Sequence, residues 1–180
     1  MSGHHVVLAL GSNLGSRLDI LQGAVDAIAA IGGITLDAAS PVYETAPVGG
    51  PEQPDYLNAV LLASTTLPPR ALLAALHEVE ASFDRAREAR WGPRTLDIDI
   101  IAYEGERSDD PELTLPHPRA HERAFVLAPW HDADPAARLP GHGDVASLLG
   151  AVGGSAGGDA GDSAGRKPAV RRSKEELILP

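Results

Sequence analysis

The sequence has 180 residues, 43% of them apolar, which suits one domain with a buried core. Its formal net charge of -10 argues against a protein that coats nucleic acid or an anionic membrane, because both partners are negative. It has no cysteine, which excludes disulfides, thiolate metal sites and thiol nucleophiles. The N-terminus resembles no secretion signal, and no run reaches the roughly 18 apolar residues of a membrane span. We therefore expect a soluble cytoplasmic protein and, since no heptad pattern is evident, a monomer.

The spacing of apolar residues predicts four strands and two helices. Ser16, followed three residues later by Asp19, is typical of a capping box that starts the first helix, and Gly32 and Gly33 end it. Pro41 weakens the second strand, and prolines and glycines indicate a loop after it. In chain order the predicted elements are strand 4–10, helix 17–31, strand 34–45, strand 57–66, helix 68–83 and strand 95–103.

This β-α-β-β-α-β order predicts an α+β sandwich with both helices on one face of the sheet. After residue 105 we expect short strand or helix pieces and a last helix at 144–152. The composition then shifts to Gly, Ala, Ser and Asp, which indicates a flexible linker at about 153–168. The final residues, 169–180, fit either a frayed tail or a strand that returns to a sheet edge. The chain thus divides into a domain at 1–152 and a linker with a tail at 153–180.

Asp97 and Asp99 lie two residues apart in the last predicted strand, so their side chains point to the same face. Two half-buried carboxylates repel each other and lose hydration, which costs several kcal/mol unless cations compensate. A hard divalent ion such as magnesium suits these oxygen ligands. The alternative is a pair that is solvated at a sheet edge or bound to arginines.

Four arginines precede these aspartates within ten residues, at positions 85, 87, 90 and 94. Guanidinium groups bind phosphate oxygens in a bidentate manner, so arginines beside metal-binding carboxylates indicate phosphoryl transfer. Pairing with nearby glutamates would account for one or two of the four. The sequence has neither a P-loop nor a dinucleotide-binding motif.

Four ordered stretches, ALGSNLG, VYETAPVGGPEQPDYLNAV, RWGPRTLDIDII and LPHPRAHERAFVLAP, resemble the 6-hydroxymethyl-7,8-dihydropterin pyrophosphokinase family of folate biosynthesis. The resemblance implies a ferredoxin-like fold with a mainly antiparallel sheet and C-terminal additions. It also implies transfer of the β,γ-pyrophosphoryl group of ATP, the co-substrate, to the hydroxymethyl oxygen of the pterin, which leaves AMP. Two magnesium ions would be held by Asp97 and Asp99, and the partners would be small molecules, without nucleic acid or membrane.

The resemblance also assigns roles to residues of this chain. Catalysis is assigned to Arg85, Arg94, Asp97 and Asp99. ATP binding is assigned to Arg85, Arg87, Arg90, Trp91, Arg94, Ile100, Thr114, His117 and Arg123. Pterin binding is assigned to Thr45, Val48, Tyr56, Asn58 and Phe125. From spacing alone, Tyr56 and Phe125 would be core residues and His117 a structural histidine.

Two other functions remain open, because the same strand and helix order occurs in RNA-binding and ligand-binding regulatory modules. A nucleotide-sugar transferase could also use a D-x-D pair for its metal. The two acids on the fourth strand disfavour RNA, since they repel phosphate unless a metal intervenes.

Overall fold

The computed structural model describes residues 3–13, 15–46, 54–84, 95–153 and 170–180. Its strands are β1 (His4–Ser12), β2 (Ile34–Ala39), β3 (Pro41–Thr45), β4 (Tyr56–Thr65), β5 (Asp97–Tyr103), β6 (Ser108–Asp110), β7 (Leu113–Leu115), β8 (Arg138–Leu139), β9 (Gly143–Asp144) and β10 (Val170–Glu176). Its helices are α1 (Arg17–Ala29), α2 (Pro69–Asp84), α3 (Ala124–Ala133) and α4 (Val145–Gly153), and a 3₁₀ turn spans Ala120–Glu122. None of these helices combines the length and the apolar character that crossing a membrane requires.

Six strands form the main sheet, in the order β10-β3-β4-β1-β5, with β2 also paired to β4. Each of these pairings is antiparallel. The predicted α+β class is therefore confirmed, and the sheet is centred on β1 and β4. The two short hairpins β6-β7 and β8-β9 stand outside it.

Each face of the sheet is covered by a hydrophobic core. On one face, side chains of β1, β4 and β5 pack against α1 and α2, whose buried residues include Leu21, Ile28, Leu72 and Leu76. As predicted, these two helices share one face. On the other face, alternate residues of the same strands pack against α3 and α4 around Trp130. A helical layer thus covers each face.

The second predicted strand is two strands in the structure. It breaks at Ser40, whose amide donates to the carbonyl of Val60, while the amide of Val60 donates to Ser40 Oγ, both at 2.8 Å. The following Pro41 has no amide hydrogen with which to continue the ladder. Both pieces nevertheless pair with β4, so the break bends the strand without separating it from the sheet.

The expected capping box is wrong in one respect. Ser16 is the N-cap of α1, but its side chain makes no capping hydrogen bond. Its backbone has φ -77° and ψ 76°, which differs from the extended geometry of most N-caps. The helix ends at Ala29, and Gly33, with φ +90°, turns the chain into β2.

Of the two alternatives for the final residues, the structure shows the edge strand. β10 pairs with β3, and Leu177 and Leu179 then pack against the α1 and α2 core. The predicted last helix is present as α4. Most of the predicted linker, residues 154–168, lies outside the described residues.

Candidate active site

Most of the predicted site residues that the structure describes gather at one end of the sheet. Gly11, at the end of β1, is paired with Asn58 of β4 on one side and with Asp97 of β5 on the other. Thr45, at the end of β3, is opposite Tyr56. Three strand ends thus surround Gly11, and the side chains at these positions share the sheet face that α3 covers.

The two aspartates alternate with buried isoleucines, as predicted. Asp97 is half-buried and Asp99 is exposed, whereas Ile98 and Ile100 are 4% and 5% exposed in the core against α1 and α2. The expectation of two half-buried carboxylates is wrong for Asp99, because it lies on a solvent-facing part of the strand. Its carboxylate therefore keeps much of its hydration, and the cost of holding both charges is lower than expected.

A buried polar pair lies across Gly11 from the aspartates. Asn58 Nδ2 donates a hydrogen bond of 2.9 Å to Thr45 Oγ1, and the two residues are 6% and 5% exposed. This bond fixes the Asn58 amide. Its oxygen and its remaining N–H can then form hydrogen bonds with the edge of a heterocycle. A methyl group on Gly11 would lie 3.2 Å from Asn58 Oδ1, so the glycine leaves room for that amide.

Two half-buried aromatic residues flank this end of the sheet. Burial raises the pKa of Tyr56, and the negative charge of Asp97 raises it further, so the phenol lies within electrostatic reach of that carboxylate. Phe125, in the first turn of α3, packs partly against the core between the sheet and the helices α3 and α4. The guanidinium carbon of Arg123 lies 5.5 Å from the centre of its ring. The rings are therefore neither fully buried nor fully exposed.

His117 lies beside Asp99 and Arg123. Burial lowers the pKa of His117, the charge of Asp99 opposes this, and the charges of Arg123 and Arg119 lower it again. The lowered pKa favours the neutral form of the ring. Because the amide of Arg119 donates to His117 Nδ1 at 3.2 Å, the proton of the neutral ring belongs on Nε2. His117 can thus present an N–H donor beside a carboxylate and an arginine.

The two residues expected at the adenine are less clearly part of this cluster. The Ile100 side chain is buried on the face opposite the aspartates. Thr114, in β7, is half-buried and donates its hydroxyl hydrogen to the carbonyl of Asp110 at 2.9 Å. Six further predicted site residues lie outside the described residues, namely Val48, Arg85, Arg87, Arg90, Trp91 and Arg94.

Gly11 belongs to this candidate site, although it is not among the predicted site residues. The apolar pattern predicts a strand that ends at residue 10, just before this glycine, but the strand continues through Ser12. One signal was the position of a glycine inside an otherwise apolar strand, which often marks a close approach. Gly11 also belongs to the stretch ALGSNLG.

The donor set at this end fits magnesium. Among the described residues, no three acids or histidines come together as a metal site. Magnesium nevertheless binds commonly through one or two carboxylates together with substrate phosphates, so the pair on β5 is sufficient in type and number. A separate cavity of about 730 Å³ lies at the opposite end of the sheet, between Val7, Leu62, Ala102 and Trp130. It contains none of the predicted site residues.

Comparison with known proteins identifies the relatives of this chain. A family model described as 7,8-dihydro-6-hydroxymethylpterin-pyrophosphokinase (HPPK) matches residues 7–135. A protein of Mycobacterium tuberculosis H37Rv named 2-amino-4-hydroxy-6-hydroxymethyldihydropteridine pyrophosphokinase is 48% identical over 144 residues, 74% of each chain. A Pseudomonas aeruginosa PAO1 protein of the same name is 42% identical over 146 residues, 81% of this chain and 90% of its own.

Solved structures show the same fold at low identity. The wild-type HPPK-DHPS of Plasmodium falciparum with pteroate superposes with a TM-score of 0.64 at 12% identity. The match covers 84% of this chain and 43% of that one, so this chain spans less than half of the fused protein. Together with the family model and the close relatives, these findings show that the chain belongs to the 7,8-dihydro-6-hydroxymethylpterin-pyrophosphokinase family.

Proposed function

We propose that this chain transfers the β,γ-pyrophosphoryl group of ATP to the hydroxymethyl oxygen of 6-hydroxymethyl-7,8-dihydropterin, in folate biosynthesis. The products are the pterin diphosphate and AMP. Family membership supports the activity. One observation supports the location of the active site: two carboxylates on β5 and a buried amide on β4 lie on either side of Gly11. One side of this site suits a cation with phosphates, and the other suits a polar heterocycle.

The pterin is proposed to lie on the side of Asn58 and Thr45. The Asn58 amide offers both an acceptor and a donor, which a pterin edge requires. Because Thr45 Oγ1 already holds this amide, its orientation is set before the substrate binds. Tyr56 and Phe125 are proposed to stack on the two faces of the ring. Val48, which lies outside the described residues, is also predicted to contact the pterin.

The phosphates are proposed to lie on the side of Asp97 and Asp99, which would hold two magnesium ions. When bound, the ions neutralise the charge of the phosphates and of the leaving group. Arg123 and the Nε2–H of His117 are proposed to donate to phosphate oxygens. The predicted nucleotide set further includes Arg85, Arg87, Arg90, Trp91, Arg94, Ile100 and Thr114.

In the reaction, the hydroxymethyl oxygen attacks the β-phosphorus of ATP. The bond from that phosphorus to the bridging oxygen of the α-phosphate breaks, and AMP leaves with the electron pair. The hydroxyl proton is released to solvent. The chain contributes alignment: the amide and aromatic groups hold the pterin, while cationic and N–H donors hold the transferred group.

We further propose that residues up to β5 form a ferredoxin-like sandwich whose second strand is broken at Ser40. The strand order supports this, since β2 and β3 each pair with β4 and together occupy one position beside it. The division into a catalytic domain at 1–152 and a linker with a tail at 153–180 stays a prediction.

The substitution Asp99→Asn tests the assignment, because it keeps the size of the side chain and removes one charge that the cations require. We expect magnesium-dependent AMP formation to fall by at least about a hundredfold. Without metal, the melting temperature should hold or rise, because repulsion between the two carboxylates is relieved. Asp144→Asn, an exposed carboxylate on β9, is the matched control and should retain full turnover. A destabilised Asp99→Asn protein with nearly normal turnover would contradict the metal site.

A further inference from the structure

The last strand lies beyond the family match, which ends at residue 135, yet it borders the proposed pterin site. In the register of β10 on β3, Val170 is opposite Thr45, Arg171 is opposite Glu44 and Arg172 is opposite Tyr43. The first residue of β10 thus lies beside Thr45, the partner of the Asn58 amide.

Arg171 connects the ends of two strands that carry pterin-site residues. Its Nη2 lies 2.9 Å from Glu44 Oε2 and 3.4 Å from Asp55 Oδ2. Glu44 directly precedes Thr45 in β3, and Asp55 directly precedes Tyr56 in β4. One guanidinium group therefore holds together the two backbone positions from which Thr45 and Tyr56 project.

Asp55 is also held through its backbone. Arg17 Nη1, from the first turn of α1, donates a hydrogen bond of 2.6 Å to the carbonyl oxygen of Asp55. The residue before Tyr56 is thus bound from two directions, by a side chain of α1 and by a side chain of β10. Such double support restricts how far the start of β4 can move.

The neighbouring residue connects β10 to the helix that carries Phe125. Arg172 Nη1 lies 4.0 Å from Asp132 Oδ2 of α3, and the Tyr43 hydroxyl donates a hydrogen bond to the same oxygen. Burial raises the pKa of Tyr43 to about 12, and the hydrogen bond and charge of Asp132 contribute to this. Tyr43 therefore keeps its proton, and this donor is present at any physiological pH.

Beyond β10, the chain is fixed on the other side of the sheet. Gln22 of α1 pairs with both backbone groups of Ile178: the Ile178 amide donates to Oε1 at 2.9 Å, and Nε2 donates to the Ile178 carbonyl at 2.8 Å. Leu177 and Leu179 pack against the core beneath α1 and α2. The segment is thus held both by the pairing of β10 with β3 and by these contacts on the other face of the sheet.

We propose that β10 is part of the wall of the pterin site and that Arg171 is a positioning residue for Thr45 and Tyr56, an inference that rests on the proposed function. The Arg171 side chain is 67% exposed and its two partners 31% and 38%. Ion pairs this exposed contribute little to overall stability. Its effect is instead on the alignment of the two strand ends, and small errors in alignment are costly in a binding site.

The test uses the full chain with Arg171→Met, which removes the charge and keeps the apolar stem, and Arg171→Lys, which restores a charge. Arg138→Met is the matched control, because Arg138 makes a comparably exposed ion pair with Asp144, on the β8-β9 hairpin. For each variant, KM for the pterin, KM for ATP, kcat and the melting temperature are measured.

We expect Arg171→Met to raise KM for the pterin by about two- to fivefold, the size of effect that an exposed charge network carries. KM for ATP and the melting temperature should remain at the wild-type values. Arg171→Lys should recover part of the loss, and Arg138→Met should match the wild type.

A wild-type KM for the pterin in Arg171→Met would overturn the inference. Equal losses for both substrates, together with a lower melting temperature, would also overturn it, since they indicate a purely structural role. If the wild-type chain itself forms no AMP and no pterin diphosphate, the proposed function fails, and the inference fails with it. The wild-type assay therefore separates the two failures.

Discussion

Gly11 is the residue at which the two halves of the proposed site meet. It is paired with Asn58 on one side and Asp97 on the other, and its missing side chain leaves space above this end of the central strand. A larger residue here would enter the space between the amide and the carboxylate. The backbone of Gly11 is not in the left-handed region, so its conformation does not require glycine. We therefore infer that glycine is needed here because it leaves space for the site.

Substitution of Gly11 by alanine tests this role. The new methyl group would lie 3.2 Å from Asn58 Oδ1, so the amide must shift by a few tenths of an ångström and strain its bond to Thr45. We expect KM for the pterin to rise by about three- to tenfold, with KM for ATP nearly unchanged. The measurement is steady-state kinetics with each substrate varied in turn.

Gly32→Ala is the control for this substitution, because a methyl group at Gly32 meets nothing within 4 Å. It should behave as the wild type. An unchanged KM for the pterin in Gly11→Ala would show that the space beside Asn58 is not used by the substrate.

The sequence predicts the placement of a residue when that placement depends only on its neighbours in the same strand or helix. The common face of Asp97 and Asp99 follows from strand alternation alone. The bond between Asn58 and Thr45 does not, because it depends on the register of two strands, which the tertiary fold sets. The same holds for Gly11, whose neighbours come from β4 and β5.

Among the elements, β10 shows how a polar segment becomes part of a sheet. Its sequence, VRRSKEE, has no clear alternation of apolar and polar residues, so its pattern indicated a strand only weakly. Its partners are distant in the chain: Arg171 and Glu44 are 127 residues apart. As an edge strand with charged side chains, it can stay largely solvated while its backbone pairs with β3.

The residues after β10 provide a test of how the segment is fixed. Leu177 and Leu179 pack against the core, whereas Ile178 between them is 74% exposed. We expect Leu177→Ala with Leu179→Ala to lower the free energy of unfolding by about 1–3 kcal/mol, since both side chains are only partly buried. Urea unfolding measures the change.

Ile178→Ala is the matched control in the same tripeptide, and its free energy of unfolding should equal that of the wild type. If the double variant were as stable as the control, the two leucines would contribute nothing to the packing. The segment would then be held by β10 and Gln22 alone.

At the scale of the whole molecule, the sheet has two chemically different ends. The end around Gly11 gathers the predicted site residues, whereas the opposite end holds the 730 Å³ cavity with charged residues on its border, including Asp37, Glu104 and Arg107. A cavity of this volume is large enough for a small ligand. The types and placement of the polar groups favour the end around Gly11 as the substrate-binding site.

Hydrogen exchange distinguishes the two ends. With magnesium, the pterin and a non-hydrolysable ATP analogue at ten times their dissociation constants, we expect amides in residues 113–125 to exchange about tenfold more slowly, because the ligands bind only the folded site. The apo chain is the reference. Amides in 104–107 and 134–140, which border the far cavity, should be unchanged, since no proposed contact reaches them. Protection confined to those two stretches would place the ligands in the cavity and contradict the proposed site, whatever the kinetics of the variants.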